Sequence, residues 1–194
     1  MKHTITIIRH GMTEGNITKT YTGTTDVPLI EMGVEGIKAK LGQYPECDLL
    51  FVSDLQRTHQ TARIIYPDME QIIIPEIHEC DMGDFTGKCY EQLKDTPEYQ
   101  RFLDVNDGFI PNGECKEVFH ARCLRGFDKI VRIIEEKGAK KPAIVSHGGV
   151  IMALMNNFTD EMTVFFDYQT TNGGGYVVEF DTETHKFEIL ETLK

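Results

Sequence analysis

Two stretches of the chain share one local grammar, and together they constrain the fold more than any other feature. Residues 5–11 read ITIIRHG and residues 143–149 read AIVSHGG. Each runs from a short apolar segment through one polar residue into His-Gly. Segments of this length and composition suit strands buried on both faces, as in parallel sheets. In open α/β sheets, ligands bind in the crevice beyond the carboxyl ends of the strands. Two histidines delivered to that edge can face one another, and the adjacent glycines let a ligand approach the backbone.

The rest of the sequence predicts a sheet that such strands could join. Thr4–Ile8, Leu49–Val52, Ile72–Ile74 and Ala143–Ser146 read as strands. Glu31–Leu41 reads as a helix weakened by Gly33 and Gly36. Ser-x-x-Gln at 53–56 predicts a capping box that opens a second helix running through Ala62 and Ile65. Glu114–Lys137 is the longest helical pattern, with Cys115, Val118, Phe119, Arg122, Cys123, Phe127, Ile130, Val131 and Ile134 recurring at three- and four-residue steps and Gly138 as its stop. A further helix is expected from about Gly149 to Asn156. Tyr176–Phe180 and Phe187–Leu190 resemble a terminal hairpin. Strands alternating with helices imply an α/β sheet covered on both faces. No repeat or linker interrupts residues 1–194, which read as a single domain.

Charge and cysteine content narrow the function. Of the 194 residues, 20 are Lys or Arg and 31 are Asp or Glu, giving a formal charge of −11. That balance argues against nucleic acid or an anionic membrane as partner, since both demand basic patches. It leaves room for a small anionic substrate in a locally basic pocket. The five cysteines (Cys47, Cys80, Cys89, Cys115, Cys123) contain no C-x-x-C, so neither a disulfide framework nor a zinc site is expected. The N-terminal apolar run is too short for a signal peptide, and no later run approaches membrane-spanning length. A reduced, cytoplasmic protein is the expectation, with its oligomeric state left open.

Cations gather at the predicted sheet edge. Arg9 directly precedes His10, and SDLQRT at 53–58 places Arg57 in the first turn of a helix, where free backbone N–H groups favour anions. Arg9, Arg57, His10 and His147 would form the cluster that a phosphoryl group requires. The chain has no G-x-x-x-x-G-K-[ST] loop, no Cys-x5-Arg loop, no G-x-S-x-G elbow and no HExxH. Histidine remains as the natural nucleophile, with arginines in place of a metal to neutralise charge, so neither metal nor cofactor is expected.

These residues carry a family resemblance. Arg9-His10-Gly11-Met12-Thr13-Glu14-Gly15-Asn16 resembles the R-H-G-x-T-x-x-N signature of the histidine phosphatase (phosphoglycerate mutase-like) superfamily. The likeness continues through Thr22-Gly23, Asp26-Val27-Pro28-Leu29, Ser53–Thr58, Thr61-Ala62, Glu79–Gly87, Pro111–Glu114 and Val145–Gly149, in family order. It implies a three-layer α/β/α sandwich with a mostly parallel, mixed central sheet. It also implies that His10 attacks phosphorus to form a phosphohistidine. Arg9, Arg57 and His147 would hold the phosphoryl oxygens, with Asn16 and Gly148 as helpers and Thr22 and Gly23 facing the substrate. Glu79 matches the family's proton donor, and Asp81 is the alternative acid. Thr22 stands where related phosphatases often carry a longer amide side chain, and Cys115 where they often carry serine.

The phosphatase branch, which includes α-ribazole-5′-phosphate phosphatases, is the expected activity. Phosphoglycerate mutase is the alternative, and a catalytically silent phosphate-binding or scaffold domain comes third. Residues 88–113 are read as a cap insertion with Lys88, Lys94 and Arg101 set against Glu91, Asp95, Glu98, Asp104 and Asp107. An acidic cap is a poor trap for a bisphosphoglycerate, which favours the phosphatase. His3, His59, His78, His120 and His185 are read as surface or edge residues, Cys115 and Cys123 as core packing, and Glu114 as a helix-dipole partner.

Overall fold

The apolar runs become the strands of one mixed sheet. The computed structural model describes residues 1–104, 107–159 and 165–194. Its strands are β1 (Lys2–Arg9), β2 (Leu49–Val52), β3 (Gln71–Ile73), β4 (Pro142–Ser146), β5 (Gly175–Asp181) and β6 (Lys186–Leu193). Among the described residues their order is β3-β2-β4-β1-β5-β6. The first four are parallel, whereas β5 runs antiparallel to β1 and β6 antiparallel to β5. The helices are α1 (Glu14–Thr18), α2 (Glu31–Lys38), α3 (Gln56–Ile65), α4 (Tyr90–Leu93), α5 (Pro97–Leu103), α6 (Lys116–Lys137) and α7 (Gly148–Phe158).

Alternation along each strand divides the core in two. Ile5, Ile7, Phe51 and Ile144 pack with Phe127, Ile130, Leu154 and Phe158 of α6 and α7. Their neighbours Ile8, Leu50, Val52, Ala143 and Val145 pack with Ile37 of α2 and with Ala62 and Ile65 of α3. Parallel strands buried on both faces are therefore apolar at nearly every position, which is why TITII and AIVS read as unbroken runs. Burying each large side chain contributes roughly 1.5–3 kcal/mol. The result is the three-layer α/β/α arrangement expected from the sequence.

Four local expectations are corrected. α3 starts at Gln56, after an N-cap Leu55 that offers no side-chain bond, so Ser53 does not cap it. The cap comes from another loop: Asp26 Oδ1 accepts the Gln56 N–H at 2.7 Å. α6 starts at Lys116 with Cys115 as its N-cap, so Cys115 is half-buried at a helix end instead of packed in the core. Val118, expected on the apolar stripe, is 54% exposed, while Cys123 is buried as expected. The hairpin is longer than predicted at both strands, and His185 adopts the left-handed conformation in its turn (φ 53°).

α4 and α5 lie within the stretch read as a cap, of which residues 105 and 106 lie outside the described residues. Leu93, Tyr99 and Ile110 pack against Met82 and Phe85 in a small separate cluster. The Tyr99 hydroxyl bonds that of Tyr21 at 2.6 Å, tying this cluster to the segment just before Thr22 and Gly23. Among the described residues, no helix is long and apolar enough to cross a membrane.

Candidate active site

The register of two neighbouring strands brings the histidines together. β1 and β4 are parallel with Arg9 opposite Ser146, so both chains leave the sheet at one level. The His10 N–H donates to the Ser146 carbonyl at 2.9 Å, extending the ladder by one bond. The His10 and His147 rings then meet edge to face, with centroids 5.2 Å apart. His10 is 6% exposed and His147 is fully buried.

Hydrogen bonds assign the roles of the His10 ring nitrogens. His10 Nδ1 lies 2.6 Å from the Gly11 carbonyl. A carbonyl only accepts, so the proton sits on Nδ1 and the Nε2 lone pair is left for attack. His147 Nε2 lies 2.8 Å from Ser53 Oγ, while its Nδ1 is buried without a partner among the described residues. Thr58 Oγ1 lies 3.0 Å from the Ser53 hydroxyl and donates to the Leu55 carbonyl at 2.8 Å. The hydroxyl expected to cap α3 thus orients His147.

Two arginines close on this pair. Arg57 is 1% exposed and donates from Nη1 to the Thr25 carbonyl and from Nη2 to the Gly23 carbonyl, each at 2.8 Å. Gly23 holds a left-handed φ of 53°, and a Cβ there would lie 3.0 Å from the Cys80 carbonyl oxygen, so the loop under Arg57 requires glycine. Arg9 donates from Nη1 to the Thr170 carbonyl. The Nε atoms of both arginines are buried without partners among the described residues. A Cβ on Gly148, at the start of α7, would lie 3.3 Å from Arg9 Nε, so the first N–H groups of α7 border the same space.

Burial and positive charge act together on the histidines. Desolvation, then Arg57 and Arg9, push His10 down to about 3, only partly opposed by the Gly11 carbonyl. Desolvation also drives His147 well below its ordinary value, with His10, Arg57, His78 and Arg9 adding to the effect. Both rings are therefore neutral near pH 7. Burial lowers Arg9 and Arg57 from their ordinary values, and the Glu79 carboxylate opposes that shift at each.

Glu79 joins the site through two backbone donors. The Cys80 N–H donates to its Oε1 at 2.9 Å and the Gly149 N–H to its Oε2 at 3.1 Å. A Cβ on Gly149 would lie 2.3 Å from Glu79 Oε1, so glycine is what allows the carboxyl this close to α7. Asp81, the alternative acid, is otherwise engaged: its Oδ1 accepts the Gly83 N–H at 2.9 Å and shapes a turn. Asn16 Oδ1 accepts from Thr13 N–H at 2.9 Å, Thr13 Oγ1 at 3.1 Å and Asn172 Nδ2 at 3.2 Å, which turns its amide nitrogen outward. Thr22 is half-buried, with its hydroxyl in the space that a Cβ on Gly15 would occupy.

The structure adds roles that the sequence did not assign. Ser53 orients His147, and Thr61 Oγ1 accepts the Gly11 N–H at 2.9 Å. Asn172 Nδ2 also reaches the His10 carbonyl at 3.1 Å, and nothing in its local sequence signals that role. His78, read as a surface residue, is half-buried, pairs with Asp54 at 3.5 Å and lies close enough to oppose charge on His147. No group of three or more His, Cys, Asp or Glu with metal-holding geometry occurs among the described residues.

Comparison with known proteins shows the family and the fold. The family model of the histidine phosphatase superfamily (branch 1) matches residues 5–192. The adenosylcobalamin/α-ribazole phosphatase of Salmonella typhimurium is 31% identical over 77% of this chain and 76% of its own. The solved α-ribazole phosphatase of Shigella flexneri superposes with a TM-score of 0.79 at 26% identity, covering 100% of this chain and 96% of that one. A phosphoglycerate mutase from Thermus thermophilus superposes with a TM-score of 0.73 at 27% identity, covering 100% and 99%.

Proposed function

The chain belongs to the histidine phosphatase superfamily (branch 1), and from that premise we propose that it hydrolyses small-molecule phosphomonoesters, without a metal, through a phosphohistidine on His10. One observation carries the reading. The His147 ring lies 5.2 Å from that of His10, Arg57 and Arg9 both act electrostatically on His10, and Arg9 Nε, Arg57 Nε and His147 Nδ1 are buried polar atoms without partners among the described residues. A tetrahedral dianion offers each of them an oxygen.

The two half-reactions follow from these roles. His10 Nε2 attacks phosphorus, the bond to the ester oxygen breaks, and Glu79 passes its proton to that oxygen so that the alcohol leaves neutral. Water then attacks the phosphohistidine, Glu79 takes a proton from it, the N–P bond breaks, and phosphate leaves with His10 restored. Arg9, Arg57 and His147 hold the equatorial oxygens, and the Asn16 amide and Gly148 N–H add donors. Phosphoryl transfer depends chiefly on positioning and charge stabilisation, which such a cage supplies. Thr22 and the Gly23 segment face the substrate's remainder, and α-ribazole-5′-phosphate is the first substrate to try.

The cap supports hydrolysis over the mutase reading. Lys94 pairs with Glu91 at 2.6 Å and Arg101 with Asp107 at 2.7 Å, so two cations of the cap are already neutralised within it. We read residues 1–194 as one catalytic unit with 88–113 as its cap. A cytoplasmic location and no nucleic-acid or membrane partner accord with five free thiols and a charge of −11.

The test is a phosphatase screen over α-ribazole phosphate, sugar phosphates, phosphoglycerates and p-nitrophenyl phosphate, with and without EDTA. Phosphate release that EDTA leaves unchanged is expected. Interconversion of 2- and 3-phosphoglycerate faster than phosphate release would instead make the protein a mutase.

A further inference from the structure

Glu79 lies on a segment that is neither helix nor strand, between the 3-10 turn Pro75–Ile77 and the turn at Gly83–Phe85. A general acid must stay within hydrogen-bond reach of the oxygen it protonates, and loops hold such positions less well than helices do. Something must therefore fix the backbone around Glu79.

Arg122, on the 22-residue helix α6, does so with every donor it has. From Nη1 it donates to the Glu76 carbonyl at 2.9 Å and the His78 carbonyl at 3.0 Å. From Nη2 it donates to the Glu79 carbonyl at 3.3 Å. Its other two bonds, Nε to Glu114 Oε1 at 2.8 Å and Nη2 to Glu114 Oε2 at 2.6 Å, form a two-pronged ion pair. A guanidinium has five N–H groups, so none is left over. Glu114 in turn donates its own N–H to the Asp81 carbonyl at 2.9 Å, clasping the far side of the segment. It sits before the N-cap of α6 and is bound to Arg122, which corrects its reading as a helix-dipole partner.

We propose that Arg122 and Glu114 are positioning residues that brace the 76–81 segment and so aim the Glu79 carboxyl at the leaving oxygen. The proposal rests on Glu79 being the acid. Neither brace residue touches the phosphoryl cage. Their effect passes through one proton transfer, and it grows with the substrate's need for that proton.

Aryl phosphates of graded leaving-group acidity test this: kcat/KM is measured for phenyl, p-nitrophenyl and 2,4-dinitrophenyl phosphate on wild type, Glu79→Gln, Arg122→Lys and Glu114→Gln. Lysine keeps the charge but not the fork, and glutamine keeps the volume of Glu114. Ratios between substrates cancel any loss of folded protein. The ratio of phenyl to p-nitrophenyl phosphate should fall by at least about threefold in Arg122→Lys and Glu114→Gln, and by more in Glu79→Gln. Wild-type ratios in both brace variants beside a lowered ratio in Glu79→Gln would overturn the brace alone. A wild-type ratio in Glu79→Gln would overturn the acid assignment and the brace with it.

Discussion

Arg57 and Arg122 carry the same side chain, yet their surroundings use it in opposite ways. Arg122 is complete within the protein: three carbonyls and one carboxylate take all its N–H groups. Arg57 is the more deeply buried, yet two carbonyls hold its ends while Nε has no partner among the described residues. An unsatisfied buried donor costs about 1–3 kcal/mol, so folded proteins rarely keep several together without reason. Three such atoms, without partners among the described residues, belong to the groups that surround His10: Arg9, Arg57 and His147. Arg122 thus serves as scaffold, and the incomplete groups around His10 are where a ligand would supply the missing partner.

Variants on each side of that divide should fail differently. His10→Ala removes the nucleophile and should lower turnover by at least about ten-thousandfold in steady-state assays, while the protein stays folded by circular dichroism. Arg122→Met breaks a completed ion pair and strands the Glu114 carboxylate, so urea denaturation should show a loss of about 3 kcal/mol in stability. Arg9→Lys presents a point charge where a fork was aimed, and should cost about a hundredfold in kcat/KM with little change in urea midpoint.

Acid should expose the cost of keeping the two histidines neutral. The unfolded chain takes up a proton on each ring as pH falls through about 6.5, whereas folded His10 resists until about 3. The unfolded state therefore binds more protons in that window, and stability must fall as pH falls. The slope contributed is up to about 1.4 kcal/mol per pH unit for each ring. Urea titrations at several pH values should show that slope reduced in His10→Asn, and an unchanged slope would contradict the buried, neutral assignment.

The strands and the pairing of the two histidines were legible because parallel strands buried on both faces write themselves as apolar runs, and each run ends in its own His-Gly. Helix starts were less legible, because their partners come from elsewhere. Ser53 met the local rule for a cap, but Asp26 caps that helix from another loop and the Ser53 hydroxyl turns to His147. Only the family resemblance favoured Glu79 over Asp81 in the sequence. What separates them is the space beside Gly149 for one carboxyl and the turn to Gly83 that occupies the other. Arg122 recurred in step with the apolar positions of the long helix, but its partners could not be read there, since the carbonyls it binds belong to a segment distant in sequence. Asn172 was hidden for the same reason.

A crystal structure with vanadate bound tests the central claim most directly, since vanadate adopts the five-coordinate geometry of phosphoryl transfer. The account predicts vanadium bonded to His10 Nε2, with its equatorial oxygens taking up Arg9 Nε, Arg57 Nε and His147 Nδ1 and its apical oxygen facing Glu79. Vanadate bound elsewhere, or seated at His10 with those three nitrogens still unpartnered, would contradict it.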